Sequence, residues 1–444
     1  MPVQYDKEAT MLKVGLTTLG CKVNQCDSAA LAENLQSAGF SLVPFGAFAD
    51  AYVINTCTVT AFADFQARQL IRRALKKNPL ARILVTGCYA QTQPQTLAAI
   101  EGVACVAGND RKDKIVELLG QPVPGLPRIL ADDIRRQRHF PSAPAAALTG
   151  RTRAFFKIQD GCDAFCSYCI VPYARGPSRS LPLPGVLDGA RNFIARGFRE
   201  IVLTGIHLGD YGRDLKPETS LTSALEGLLS QNPATRFRLS SIEPNEISDE
   251  LLALPGHHQN LCPHLHIPLQ SGDDGILKRM KRRYDTAFYR DLLDRVSRTW
   301  ADVAIGIDVM VGFPGEGEKE FRRTVELLEN LPAAYLHVFP YSERPGTAAL
   351  KLHPKVPAAV KKERAAALRA LGANKREAFA RRFLGKILPV LVEQTRDKTT
   401  GMARGFSHNY LPVLLDKSPA SLVNTFVSVK IEKIRDGKLT GRVV

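Results

Sequence analysis

Long apolar runs are missing from this 444-residue chain. No stretch approaches the ~18 uninterrupted apolar residues of a membrane-spanning helix, which excludes a helical membrane protein. The opening residues, MPVQYDKEATMLK, lack the apolar core of a signal peptide, because Asp6 and Glu8 stand in it. Export is therefore not expected, and a cytoplasmic location is. There is no internal repeat and no low-complexity tract. Gly 33 and Pro 28 are ordinary numbers, so collagen-like and linker-like chains are excluded. Acidic residues are in short supply, 44 Asp+Glu against 60 Lys+Arg, a net charge of +16. An even cysteine set is also lacking: there are nine. An odd count in a chain without an export signal argues against a disulfide framework and for metal ligation or thiol chemistry.

The surplus of positive charge is uneven. Lys351 to Val444 holds 20 Lys+Arg against 7 Asp+Glu, a net +13, so the rest of the chain carries only +3. Such asymmetry points to a polyanion at the C-terminal end. A solvated basic helix over Lys361–Arg382 is the plainer explanation. The excess runs on into a strand-rich tail, however, which favours nucleic acid.

Three early segments end alike: MLKVGLTTLGC at Met11–Cys21, AYVINTC at Ala51–Cys57 and RILVTGC at Arg82–Cys88. Each is a β-prone run closing on a small or polar residue and then Cys. Helical patterns, Ser28–Gly39 and Phe62–Lys77, separate them. Alternating strands and helices predict a parallel sheet, whose sites form beyond the carboxyl ends of its strands. Cys21, Cys57 and Cys88 are then expected on one edge. The Pro- and Ala-rich stretch 126–150 reads as a linker after an N-terminal α/β domain at 11–125. A second series, 151–378, offers strands at Phe155–Gln159, Glu200–Gly205, Arg236–Ile242, Leu265–Leu269, Ala304–Val311 and Tyr335–Pro340, with helices such as Tyr284–Trp300 and Glu318–Leu331 between them. Six units suggest a partial (βα)6 barrel; an open sheet is the alternative, and both put the site at the same strand ends. The tail, 379–444, reads as a small all-β module, with strand-like Ile387–Thr395, Gly401–Val413 and Leu422–Lys433.

Cys162, Cys166 and Cys169 lie in GCDAFCSYC, directly after the first strand of the second series. Structural zinc usually takes four Cys or His ligands, and no fourth is evident. A 4Fe–4S cluster is usually held by four thiolates. Three leave one iron open to a substrate or cofactor.

This C-x3-C-x2-C spacing after a strand resembles the radical SAM superfamily, in which the open iron chelates S-adenosylmethionine. With TLGCKVNQCDS, NTCTV and TGCYAQ, the chain closely resembles the methylthiotransferase family, radical SAM enzymes with an extra N-terminal domain and a C-terminal TRAM domain. RGPSRS, TGIHLGDYG, SSIEP, HIPLQSG, DVMVGFPGE and FPYSERPGT extend the resemblance over nearly the whole chain, and GFSHNYLPV resembles the RNA-binding strands of TRAM domains. Of the three main branches, one acts on isopentenyladenosine in tRNA, one on a ribosomal-protein aspartate and one on threonylcarbamoyladenosine in tRNA. GCKVNQ and TGIHLGDYG resemble the third. Two departures are Cys26, where relatives commonly have Tyr, and Leu181, where another Arg is often seen.

The resemblance implies two 4Fe–4S clusters. Cys21, Cys57 and Cys88 would hold an auxiliary cluster carrying the sulfur to be inserted, and Cys162, Cys166 and Cys169 the cluster that cleaves S-adenosylmethionine. The target would be carbon-2 of an adenine in the tRNA anticodon loop. One S-adenosylmethionine would supply the methyl group and a second the radical, with an electron donor (flavodoxin-like or similar) and a sulfur source as partners, and no membrane. Tyr168 is expected near the adenine of the cofactor, and Thr204 and Gly205 at its amino group. Glu243, Gln270 and Asp308 are candidates for its ribose or carboxylate, or plain strand-end polarity. Arg175 and Arg179 would meet the cofactor's carboxylate or RNA phosphate. Phe406 and Tyr410 are candidates for stacking on RNA bases, or for a small β core. His264 and His266 alternate on a strand with no third metal ligand in view, and Cys105 and Cys262 read as buried spectators. The alternatives are a methylthiotransferase of another branch and a non-catalytic iron–sulfur RNA sensor.

Overall fold

The structure, a computed structural model, describes residues 12–121, 128–141, 151–416 and 420–444. These fall into two compact units. The first holds the described residues up to 141 together with 170–177; the second holds 151–169 and the described residues from 178 onward.

In the first unit, strands β1 (Lys13–Thr18), β2 (Ser41–Val43), β3 (Ala51–Thr56), β4 (Arg82–Gly87), β5 (Val103–Ala107) and β6 (Ile129–Leu130) form one parallel sheet in the order β2-β1-β3-β4-β5-β6. All of β3 is buried, as a strand covered on both faces must be. Its alternate residues serve opposite faces. Tyr52 and Ile54 pack with Ala67 and Ile71 of helix α2 (Ala61–Lys77). Ala51 and Val53 pack with Leu31 and Leu35 of helix α1 (Lys22–Ser37).

The three strands that end on cysteine are adjacent, as the sequence predicts. Helix α1 begins at Lys22, well before the expected Ser28, so Cys21 itself is its N-cap. β6 lies inside the expected linker and adds an edge to this sheet. Residues 126, 127 and 142–150 of that linker lie outside the described residues.

The second unit opens with β7 (Arg153–Lys157) and a short antiparallel pair, β8 (Gln159–Asp160) with β9 (Arg179–Ser180). Then come β10 (Glu200–Thr204), β11 (Arg236–Leu239), β12 (His264–His266), β13 (Ala304–Val311) and β14 (Tyr335–Pro340). β7, β10 and β11 form one parallel sheet and β12, β13 and β14 another. Parallel bridges Phe237–Leu261 and Ser241–His266 join them, so the six strands run in chain order as a partial barrel.

The helix Ala358–Arg381 leads to a closed barrel of five strands: β15 (Ile387–Val392), β16 (Ala403–Ser407), β17 (Pro412–Leu415), β18 (Phe426–Arg435) and β19 (Lys438–Val443). The expected single strand Gly401–Val413 is two. Ser407 accepts from the Leu411 N–H at 3.0 Å and donates to Asn409 Oδ1 at 2.6 Å, and the backbone turns with Tyr410 at φ 68°. The core of this module is shared: Leu388, Val390 and Val413 pack in one cluster with Phe379 and Phe383 and with Ala304 and Ala334 of the larger barrel.

Beside that apolar cluster runs a polar seam. Arg238, 1% exposed, pairs with Glu200 at 2.8 Å and donates to the His408 carbonyl at 3.0 Å. Arg153 pairs with Glu393 at 3.0 Å.

Candidate active site

Cys21, Cys57 and Cys88 stand just beyond the carboxyl ends of β1, β3 and β4. Their sulfurs sense one another electrostatically. Buried side chains tie the strand ends together. Asn24 donates to the Leu19 carbonyl at 2.7 Å and the Thr56 carbonyl at 3.0 Å. Asn55 donates to the Asn24 carbonyl at 3.0 Å, and Thr56 to the Thr86 carbonyl at 2.5 Å.

Close packing explains the glycines that precede two of the cysteines. Gly20 has φ 97°, and a Cβ there would lie 2.7 Å from Cys57 Cβ. Gly87 also has φ 97°, and a Cβ would strike the Thr56 carbonyl.

Positive potential converges on this triad. Cys21 caps α1, and Cys88 opens a short helix, α3 (Cys88–Thr92); helix N-termini favour thiolates. The Asn109 amide donates to the Cys88 sulfur at 3.6 Å. Arg175, 1% exposed, pairs with Asp27 at 3.0 Å and donates to Asn24 Oδ1. Burial and the neighbouring Cys88 push the metal-free Cys57 thiol up to about 12, against the Val59 N–H and the Arg175 guanidinium. Three thiolates gathered at one sheet edge without a metal would repel one another. A cation-rich inorganic core is what the donor set fits, and binding it releases their protons.

In the second unit, the loop after β8 carries Cys162, Cys166 and Cys169. Gln159 braces it: its amide donates to the Gly161 carbonyl at 2.9 Å, and its oxygen accepts from the His207 N–H at 2.8 Å. The Ser167 N–H donates to the Met280 carbonyl at 2.9 Å, and its own carbonyl accepts from the Ala349 N–H at 2.7 Å.

Each of two sulfurs has a side-chain partner. His207 Nδ1 lies 3.5 Å from Cys162 Sγ, with Nε2 held by Glu246 at 2.7 Å. Burial disfavours the imidazolium, but hydrogen bonds to Cys162 and Glu246 outweigh it and raise His207 to about 11. Arg282 Nη1 donates to Cys166 Sγ at 3.3 Å and to the Tyr168 hydroxyl at 3.4 Å, while Nη2 pairs with Glu243.

Cys166, His207, Glu243, Glu246, Arg282 and Tyr284 line a cavity of about 250 Å³. A guanidinium against a carboxylate is matched to the ammonium and carboxylate of an amino acid. At the next strand end, Gln270 is 7% exposed, holds φ 70° and leaves its Oε1 without a partner, an acceptor waiting for a donor. Asp308 follows on β13. Its burial disfavours charge, but hydrogen bonds from His266 and His337 hold its carboxyl well below the usual range.

A family model described as an uncharacterized protein family, UPF0004, matches residues 13–108, and one for the radical SAM superfamily matches 156–328. The threonylcarbamoyladenosine tRNA methylthiotransferase MtaB of Bacillus subtilis is 38% identical over 95% of this chain and 94% of its own length. The protein of the same name from Aquifex aeolicus is 38% identical over 86% of this chain and 93% of its own. The chain belongs to the radical SAM methylthiotransferase family. In fold it is similar to the radical S-adenosylmethionine methyltransferase TsrM of Kitasatospora setae, with TM-score 0.56 at 16% identity over 77% of each chain. As a radical SAM enzyme it uses a 4Fe–4S cluster and S-adenosylmethionine.

Several residues of this methylthiotransferase stand where the sequence does not suggest. Arg175 and Arg179 are expected to meet RNA phosphate or the cofactor; the structure buries both, at 1% and 5% exposed. Arg175 turns instead toward the first triad, in the first unit. The Thr204 hydroxyl donates to the Val202 carbonyl at 3.2 Å inside its strand, so it shapes the strand end. Phe406 and Tyr410 stack on each other with centroids 5.0 Å apart, under the Arg153 guanidinium at 4.3 and 5.4 Å. Tyr410 also meets the His264 ring at 4.7 Å. Packing in the seam is the role these contacts show. His266 has the partners the sequence hides: its Nε2 is 2.8 Å from Asp308, which also meets His337 at 3.4 Å. Cys26, Cys105 and Cys262 are buried, and none of the nine cysteines forms a disulfide.

Proposed function

We propose that this enzyme converts N6-threonylcarbamoyladenosine beside the tRNA anticodon to its 2-methylthio derivative, in the cytoplasm. The observation that carries this is the 38% identity, over 95% of the chain, to a relative named for that substrate. The GCKVNQ and TGIHLGDYG segments support the same branch. We read 11–125 as the domain holding an auxiliary 4Fe–4S cluster through Cys21, Cys57 and Cys88. We read 151–378 as the radical SAM core, with its cluster on Cys162, Cys166 and Cys169, and 379–444 as a TRAM RNA-binding domain.

Carbon-2 of adenine carries a C–H bond that is neither acidic nor open to attack; the clusters and S-adenosylmethionine supply the one-electron chemistry it requires. The protein's own residues position and shield. Glu243 and Arg282 would hold the amino-acid end of S-adenosylmethionine, Gln270 and Asp308 would offer acceptors to its ribose, and Tyr168 would lie on the side of its base. His207, held by Glu246, donates to the Cys162 thiolate; hydrogen bonds to ligand sulfur tune a cluster's potential. A flavodoxin-like electron donor and a sulfur source complete the reaction. No described helix is long and apolar enough to cross a membrane.

The deciding experiment is nucleoside analysis of tRNA from a strain that lacks this gene and has no second such enzyme. The 2-methylthio nucleoside should vanish and return with a plasmid copy; its persistence would refute the substrate assignment. Deoxyadenosine released from S-adenosylmethionine by anaerobic, dithionite-reduced protein separates an enzyme from an RNA sensor.

A further inference from the structure

Helix α2 starts four residues after Cys57 and presents an unusual outer face. Its inner face is conventional: Asp64, Ala67, Ile71 and Ala74 are buried, three or four residues apart. On the outer face Phe62 and Phe65 are 65% and 47% exposed. Their rings lie 6.3 Å apart and within 25° of parallel, so they form one apolar surface rather than two scattered side chains. Farther along the helix Arg72, Arg73, Lys76 and Lys77 are all exposed. No ion pair engages those four among the described residues, and the one acidic residue on the helix, Asp64, is turned inward to the Thr58 hydroxyl at 2.7 Å.

Singly exposed apolar side chains are ordinary on a protein surface. Two parallel rings followed by four unpaired cations on one helix face are not. Among the described residues no other ring meets Phe62 or Phe65, so the rings do not serve the core. Unpaired cations would repel one another unless a polyanion lies over them. Aromatic faces and a cationic track are together the elements of a single-stranded nucleic-acid platform.

We propose that the outer face of α2 is an RNA-contact surface, on which Phe62 and Phe65 stack an unpaired base of the anticodon loop while Arg72, Arg73, Lys76 and Lys77 neutralise adjoining phosphates. This rests on the tRNA reading above and adds to it a contact outside the basic C-terminal region. The rings follow Cys57 within eight residues, so the platform belongs to the same sheet edge as the first cysteine triad.

The test uses full-length reconstituted protein, an anticodon stem–loop RNA carrying N6-threonylcarbamoyladenosine and dithionite as reductant, so that docking of a protein electron donor plays no part. Two variants are compared with the parent, Phe62→Ala/Phe65→Ala and Arg72→Gln/Arg73→Gln/Lys76→Gln/Lys77→Gln, each accepted only with parental iron content and thermal midpoint. The aromatic variant should bind the stem–loop about tenfold or more weakly, with its salt dependence unchanged. The cationic variant should lose about 0.7 of slope in log K against log salt for each contact removed. Parental affinity and slope in both variants would overturn the proposal while leaving the substrate assignment intact. A parent that neither binds nor modifies the stem–loop would instead defeat that assignment. In a parallel assay with a protein donor in place of dithionite, variants that bind RNA normally but lose reduction would show a protein-docking face, and would also overturn it.

Discussion

At the scale of single residues, ligands and their supports separate cleanly. The six cysteines proposed as cluster ligands stand out in the sequence because each triad has a marker that survives without coordinates: a loop of three cysteines after a strand, or a strand end repeated three times. The supports are not. Arg282 meets Cys166 across 116 residues of chain, and Asn24 reaches Thr56 across 32. Only folding brings them together, and an Arg or Asn in isolation carries no chemical signature.

Replacing Cys57 with Ala should remove about half the iron and all methylthio product while sparing deoxyadenosine formation. Replacing Cys162 with Ala should abolish deoxyadenosine. Iron counting and chromatography of both variants check this, and equal loss of both activities in the Cys57 variant would oppose separate cluster roles. Arg282→Lys keeps the charge but loses the planar fork, so binding of S-adenosylmethionine should weaken by about tenfold, as read by equilibrium binding. Asn24→Ala removes the amide donor from the Leu19 carbonyl and from the buried Thr56 carbonyl. It should cost about 2–3 kcal/mol in urea unfolding and lower the iron held by the first triad.

At the scale of elements, long periodic segments were readable and short edges were not. Ala304–Val311 and Tyr335–Pro340 are strands with the bounds their apolar runs predict. The three-residue β2 and two-residue β6 offer too few positions for any period to show. The sequence places the start of helix α1 late because its first turn, KVNQ, is mostly polar, and Asn24 within it serves the strand ends that precede the cysteines.

The seam between the barrels carries a pH-dependent element. Burial, with Arg236 and Arg238 nearby, lowers His408 to about 4 from 6.5. The unfolded chain therefore binds this proton first. The stability concerned is complete above about pH 6.5 and is lost as pH falls toward 4, by at most about 3 kcal/mol. His408→Gln should remove that part of the slope, so denaturant midpoints at pH 7 and pH 4.5 should differ less in the variant than in the parent. At Gly87, a positive φ and contact with the Thr56 carbonyl forbid a side chain. Gly87→Ala should lower stability by more than 1 kcal/mol.

At the scale of the molecule, net charge points to a polyanion at the C-terminal end yet conceals part of the pattern. The +3 outside the C-terminal region is a sum over both signs, and summation hides the cationic face of α2. The division of the chain was only partly legible as well, because 170–177 follows Cys169 directly but belongs to the first unit. The small C-terminal barrel looked independent by its strand content. Its apolar cluster nevertheless includes Ala304 and Ala334. Calorimetry of the second unit should therefore show one cooperative transition, with no separate low-temperature melting of residues 387–443.

The seam has a consequence for exchange of parts between relatives. Arg153 and Arg238 reach across it to Glu393, to two main-chain carbonyls and to the ring of Tyr410. A tail grafted from another methylthiotransferase would strand two guanidinium groups in a dry crevice unless it supplied the same acceptors. The C-terminal barrel of this enzyme is thus no interchangeable cassette, and shuffling it would demand matched changes on strands β7 and β11.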